Sequence, residues 1–297
     1  MVGSALVRRH IGRRFEALRL RAGLTQDQVA NKLDRGRGTI SRMEDGDERV
    51  RFREIEVRAM LDLYQAEPQE RELLFALTAE TRNGKKKSWW HDYTETALPE
   101  WFGLYVSLED SAETIRQYQS ELISGLLQTR EYAAELGRIE SGYPEDESDL
   151  QRRVNVRMER QALLTSPRAP CLDVILNEAV LRRPVGGPGV MAEQLTHVLD
   201  IAQKANVSIR IVPFSAGGHA GAGANAFTIL DFPKDRYGEL LESTLAYVDT
   251  LTGAMYLNKP NEIRAYKTVW DNLEKKTLSN IASKDMITAA LEGLKDG

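Results

Sequence analysis

Residues 24–46 read LTQDQVANKLDRGRGTISRMEDG, and this stretch decides the fold of the N-terminal part of the chain. Thr25 is suited to an N-cap, and Gln28, three residues on, completes a capping box. The helix so started runs over 26–33. Asp34-Arg35-Gly36 reads as a turn, and Arg37 to Glu44 as a second short helix ended by Asp45-Gly46. Two helices joined by so little chain must cross steeply. The first needs a small residue at the crossing, Ala30. The turn needs a residue that tolerates the left-handed region, and aspartate at 34 does so at modest cost. The second needs apolar residues facing the first, Ile40 and Met43. Gln26, Ala30, Asp34, Ile40 and Met43 have the spacing of a helix-turn-helix. The competing reading, a helical hairpin in an ordinary bundle, does not account for this spacing together with the local charge.

Outward from the motif, Val7, Ile11, Phe15 (or Leu18) and Ala22 recur at helical spacing, and Gly23 stops that helix as a C′ residue. Phe52 to Tyr64 is a further helix, with Ile55, Ala59 and Leu63 expected on its apolar face. Glu70 to Glu80 is a fifth. Residues 7–82 thus predict an all-α domain of about five helices. Asn83-Gly84 and Lys85–Lys87 mark a linker over 83–97. From residue 98 to 297 the texture changes. Strand-like runs fall at 115–123, 172–176, 207–212, 226–232 and 245–250, with helices at 150–164, 189–204, 261–275 and 283–294. That order predicts an α+β domain with a largely antiparallel sheet.

Composition narrows the function. The 297 residues suit two domains. No run of about 18 apolar residues is present, which excludes a membrane-spanning helix. Arginines interrupt the N-terminal segment, so no secretory signal is read there, and a cytoplasmic location is expected. A single cysteine excludes a disulfide framework and a cysteine-based zinc site. The net charge of −4 conceals an asymmetry: residues 1–53 carry a net +6 and the remainder −10. A basic module on an acidic body points to a polyanion contacted at one end.

The motif residues resemble the XRE, or phage-repressor, type of helix-turn-helix over residues 10–64. The resemblance implies that Arg37–Glu44 is a recognition helix in the major groove, with Arg37, Gly38, Thr39 and Arg42 at the base-reading positions. Arginine suits guanine O6 and N7 in a bidentate pair. Gly38 replaces the usual polar residue and offers no side chain, which shifts base reading to Arg37 and Arg42. Thr25 and Gln26 match backbone-contacting positions, and Arg49 is a further candidate phosphate contact. Arg19 and Glu44 match a buried structural ion pair. Double-stranded DNA with inverted half-sites and a homodimer follow from the same resemblance.

The stretches WWHDY (89–93), LPEWFGLYVSLE (98–109), GLLQTREYA (125–133), LRRPVGGPGVMAEQLTH (181–197) and IRIVPFSAGGHAGA (209–222), with the FTILDF strand, resemble the C-terminal domain of a group of actinobacterial XRE-type regulators. Ser124 stands where a proline is common before GLLQT. The resemblance implies a small partner protein. The chain is thus expected to be a sequence-specific transcriptional regulator whose C-terminal domain binds a partner or effector. The alternative is an antitoxin that neutralises the partner, with DNA binding serving autoregulation.

No catalytic constellation is read. His10, His91, His197 and His219 lack metal-ligand spacing; His197 reads as a packed histidine and Cys171 as a buried structural thiol. Glu109 and Glu121 have nothing to fix their geometry. No cofactor, no metal and no enzymatic activity are expected. The glycine-rich SAGGHAGAGANAF (215–227) is followed by a strand rather than a helix and lacks G-K-[ST], so it fits a hairpin loop better than a phosphate cradle. Gly217, Gly218, His219, Gly221 and Gly223 form a candidate partner or ligand loop. Trp89, Trp90 and Tyr93 read as anchors of the second domain rather than a stacking patch.

Overall fold

A computed structural model describes residues 4–47, 49–82, 100–141, 147–234, 243–250 and 253–295. The linker at 83–97, with Lys85–Lys87, Trp89, Trp90 and Tyr93, lies outside the described residues. The chain divides into two compact units, and their boundary falls between Leu108 and Glu109.

The first unit contains α1 (Ser4–Arg21), α2 (Gln26–Lys32), α3 (Arg37–Glu44), α4 (Glu54–Leu63), α5 (Pro68–Arg82) and most of α6 (Glu100–Ser111). Gly23 and Asp34 both adopt positive φ, 68° and 52°, as the turn chemistry requires. Thr25 and Gln28 form the reciprocal capping box at the start of α2. Ile11, Phe15, Val29, Ile40, Met43, Phe52 and Leu61 are fully enclosed. The buried face of α4 is Val57, Met60 and Leu61; Ile55, expected on it, is 77% exposed. The helix begins one residue after Arg53, and its rotation is set by docking against α5, not by the weaker 55–59–63 row. Helix α1 crosses α3 so closely at Gly12 that a Cβ there would lie 2.2 Å from the Glu44 carbonyl oxygen.

The second unit adds β1 (Thr114–Gln119), α7 (Arg130–Ser141), α8 (Glu147–Arg160), β2 (Cys171–Asn177), α9 (Ala179–Arg182), α10 (Gly187–Ile201), β3 (Val207–Val212), β4 (Phe227–Asp231), β5 (Leu245–Thr250), β6 (Gly253–Leu257), α11 (Pro260–Glu274) and α12 (Asn280–Lys295). The α+β expectation holds, and the sheet is mixed with antiparallel pairings in the majority. Its order is β3-β2-β1-β4-β5-β6; β1–β2 and β2–β3 are parallel, while β1–β4, β4–β5 and β5–β6 are antiparallel. The parallel half arises because helices intervene between β1 and β2 and between β2 and β3, as parallel crossovers demand. Tyr118, Ile175, Phe227, Ile229, Val248, Trp270 and Leu273 form one core between sheet and α11.

The GLLQT stretch is a tight turn held by buried amides. Gln194 accepts from Thr129 N–H at 2.7 Å and donates to the Leu127 carbonyl at 2.6 Å. Gln161 donates to the carbonyls of Gly125 and Gln128. Ser124, in the proline position, has φ −55°, and its hydroxyl donates to Gln117 Oε1 at 2.5 Å. Serine thus keeps a proline-like backbone and adds an anchor. Cys171 is exposed at the first position of β2, which corrects the expectation of a buried thiol.

Candidate nucleic-acid interface

The exposed face of α3 follows from which of its residues the fold consumes. Ile40, Met43 and Glu44 are buried against α1 and α2. At about 100° per residue, Arg37, Ser41, Gly38 and Arg42 then lie within about 140° of arc on the opposite side. Arg37, Gly38 and Arg42 are exposed; Ser41 and Thr39 are half-buried. Nothing lies within 4 Å of a Cβ built on Gly38, so the backbone there is open to close approach. Arg42 lies back along its own helix, its Nε donating to the Gly38 carbonyl at 2.9 Å. Arg37 Nε is 3.9 Å from Asp27 Oδ1.

Behind this face sits a buried polar knot. Arg19 Nε and Nη2 donate to the two Glu44 oxygens at 2.6 and 2.9 Å, and Nη1 donates to the Leu24 carbonyl. The Glu44 hydrogen bond holds the Arg19 guanidinium even more firmly protonated than usual. Gln26 Nε2 donates to Glu44 Oε2 at 2.8 Å. Gln26, proposed from the sequence as a backbone contact, is thus tied inward by its amide nitrogen. Thr25 is exposed, but its hydroxyl accepts from Gln28 N–H and caps α2. The knot sets the start of α2 and the end of α3 relative to α1.

Arg49 follows α3 and is paired with Asp47. Its Nε reaches both carboxylate oxygens at 2.9 and 3.2 Å, and its Nη2 reaches Oδ2 at 2.5 Å. These bonds hold the Asp47 carboxyl well below the usual carboxylate range. Arg8 fastens the same loop from beneath, donating to the carbonyls of Asp47 and Val50 while stacked over Phe52.

In the second unit, the glycine-rich segment joins β3 to β4, which are separated in the sheet by β2 and β1. It therefore crosses the carboxyl ends of two parallel strands, where open α/β sheets commonly bind ligands. Two 3-10 turns, Phe214–Ala216 and Ala220–Gly223, build it. It is anchored at intervals: Phe214 N–H donates to Glu178, Ala220 N–H to Asn272, and Lys276 Nζ to the Ala216 carbonyl. Gly221 rests on the Tyr118 ring, where a Cβ would approach to 2.8 Å. Gly217, Gly218 and Gly223 face open space. His219 meets Asn177 at 3.3 Å and packs edge-on to Tyr118. Asn177 Oδ1 accepts from Ala179 N–H, so its amide nitrogen faces His219 and makes Nε2 the acceptor. Glu109 forms a buried pair with Arg160, and Glu121 an exposed one with Arg183, so the two glutamates serve separate pairs.

Residues 10–74 match a helix-turn-helix domain family, and residues 102–289 match a domain of unknown function, DUF5753. This chain belongs to the DUF5753 family. No curated protein matches it. The DUF5753 match spans the second unit's sheet and both closing helices, α12 in most of its length. Among the described residues, no helix is long and apolar enough to cross a membrane.

Sequence reasoning missed Ser41, which lies between Arg37 and Arg42 on the same face and donates to Asp45 Oδ2. Counting turns from the buried Ile40 and Met43 would have placed it there. It also missed Asp27 and Asp47 as the partners of Arg37 and Arg49. The i, i+2 spacing of Asp47 and Arg49 carries no helical signal, since that segment is loop.

Proposed function

We propose that this DUF5753-family chain is a sequence-specific DNA-binding transcriptional regulator. The carrying observation is the exposed Arg37–Gly38–Arg42 face of a helix whose opposite side is locked into a helix-turn-helix core. The helix-turn-helix match over 10–74 and the net +6 of residues 1–53 support the same reading. In this reading α3 enters the major groove, Arg37, Thr39 and Arg42 meet base edges, with the arginines suited to guanine, and Thr25 and Arg49 position the domain on the backbone. Two copies of the chain bind inverted half-sites about one helical turn apart. The DUF5753 domain, with its anchored glycine-rich crossover around His219, binds a small partner protein or effector. The protein acts in the cytoplasm and carries no catalytic role.

The test is selection of duplexes from a random library by the full chain at about 150 mM salt, where sequence-independent binding is weak. Enrichment of a discrete inverted repeat is expected. Recovery of no sequence above the random background overturns the reading.

A further inference from the structure

The interface carries its own competitors for DNA phosphate. The candidate contacts at the two ends of α3 are not open cations. Arg37, at the first position, faces Asp27 at 3.9 Å, with both side chains about two-thirds exposed, 67% and 65%. Arg49, beyond the last position, is chelated by Asp47 through Nε and Nη2. Arg42, between them, instead donates its Nε to the Gly38 carbonyl. A polyanion meeting this face encounters a carboxylate at each end and a guanidinium in the middle.

Asp47 is fixed in place from several directions. Its N–H donates to the Arg42 carbonyl at 3.0 Å, and its carbonyl accepts from Arg8. Its Oδ1 also accepts the Arg49 backbone N–H at 2.8 Å. The Arg49 N–H bond keeps the carboxylate beside the Arg49 backbone, so an arriving phosphate draws the guanidinium off it or shares it. Asp27 stands in the first turn of α2 and meets Arg37 from across the turn.

We infer that Asp27 and Asp47 are affinity-limiting residues of the DNA interface. They set a negative charge beside the cation at each end of α3, Arg37 and Arg49, and hold down the sequence-independent part of binding. Exposed ion pairs are weak, so a well-placed phosphate exchanges with them readily. The displaced carboxylate nevertheless stays near the incoming anion and repels it on every sequence alike. Base reading by Arg37 and Arg42 adds its own preference for a cognate site on top of this penalty, which lowers every duplex by the same factor. The penalty therefore takes loose binding to arbitrary DNA out of the working concentration range while a cognate site remains occupied. At about 6 Å and a water-like dielectric, one such repulsion corresponds to about three-fold in affinity.

This inference rests on the DNA-binding reading, and the experiment separates the two. The full-length protein, Asp27→Asn and Asp47→Asn are titrated against one random-sequence duplex by fluorescence anisotropy from about 50 to 200 mM salt. Asparagine at 47 keeps the side-chain acceptor for Arg49 N–H, and matched thermal unfolding establishes that the fold is intact. Each variant is expected to bind about three-fold more tightly than wild type. Asp47→Asn is also expected to steepen the slope of log affinity against log salt by about 0.9, the signature of one more neutralised phosphate. Wild-type binding with an unchanged or weakened Asp47→Asn variant overturns the inference and makes Asp47 a positioning residue for Arg49. Binding by none of the three overturns the DNA-binding reading itself.

Discussion

Glu44 carries more of the N-terminal fold than its position at the end of α3 suggests. Its carboxylate takes two bonds from Arg19 and one from Gln26 in a buried setting. Removing one partner of such a pair leaves the other charge buried without compensation. Glu44→Ala is therefore expected to cost about 3–5 kcal/mol in urea unfolding. A cost below about 1 kcal/mol would mean that Arg19 finds water or another acceptor. The arginines of the outer face act differently, because they are exposed and contribute little to folding. Arg42→Ala is expected to lose about 1–3 kcal/mol at a selected cognate site and little on random duplex. Equal loss on both duplexes would assign Arg42 to phosphate instead of bases.

At the scale of elements, the close crossing of α1 and α3 is a sharp constraint. A methyl at Gly12 would overlap the Glu44 and Met43 carbonyl oxygens, which are backbone atoms and cannot rotate aside. Gly12→Ala must push the two helices apart, with a cost of about 1–3 kcal/mol or more as for other overpacked cores. Unchanged stability by thermal melting would show that the crossing can open freely. The sequence carried the neighbouring elements legibly. The capping box at Thr25, the left-handed Asp34 and the C′ Gly23 are local chemistry, and local chemistry can be read from a sequence. Long-range pairing was less readable. The short strand β6 holds only Gly253–Leu257, and its assignment depends on β5 lying alongside. Helix α7 begins where Thr129 Oγ1 accepts from Tyr132 N–H, a cap hidden inside the GLLQT turn. The parallel pairing of β1, β2 and β3 is fixed by crossovers that no single strand announces. At the candidate site, the guanidinium groups were legible from helix spacing. The carboxylates that face them were not, because Asp27 and Asp47 reach Arg37 and Arg49 from a different helix and through a loop.

At the scale of the whole chain, charge and core are divided between two units, and acid should act on the first through one buried histidine. His10 lies in α1, and its Nε2 is 2.6 Å from Ser107 Oγ on α6. Arg14 donates to that same Oγ through Nε and Nη2, at 3.0 and 2.6 Å. Ser107 Oγ thus joins the imidazole and the Arg14 guanidinium inside this unit. Burial, reinforced by the nearby Arg14 cation, lowers the His10 pKa from 6.5 to about 3. The unfolded chain then takes up a proton between about pH 6.5 and 3 that the folded chain refuses, so stability falls as pH falls through that window and is flat above it. The full window corresponds to on the order of 5 kcal/mol, and the interval from pH 6.5 to 4.5 to on the order of 3 kcal/mol. Urea unfolding of the first unit, compared at pH 7 and pH 4.5, is expected to show that loss in wild type. His10→Gln keeps a polar side chain but no titration, so its stability should change less over the same interval, whatever its absolute value. Parallel pH dependence in the two proteins would place the acid sensitivity on the carboxylates and leave His10 free to ionise in the folded state.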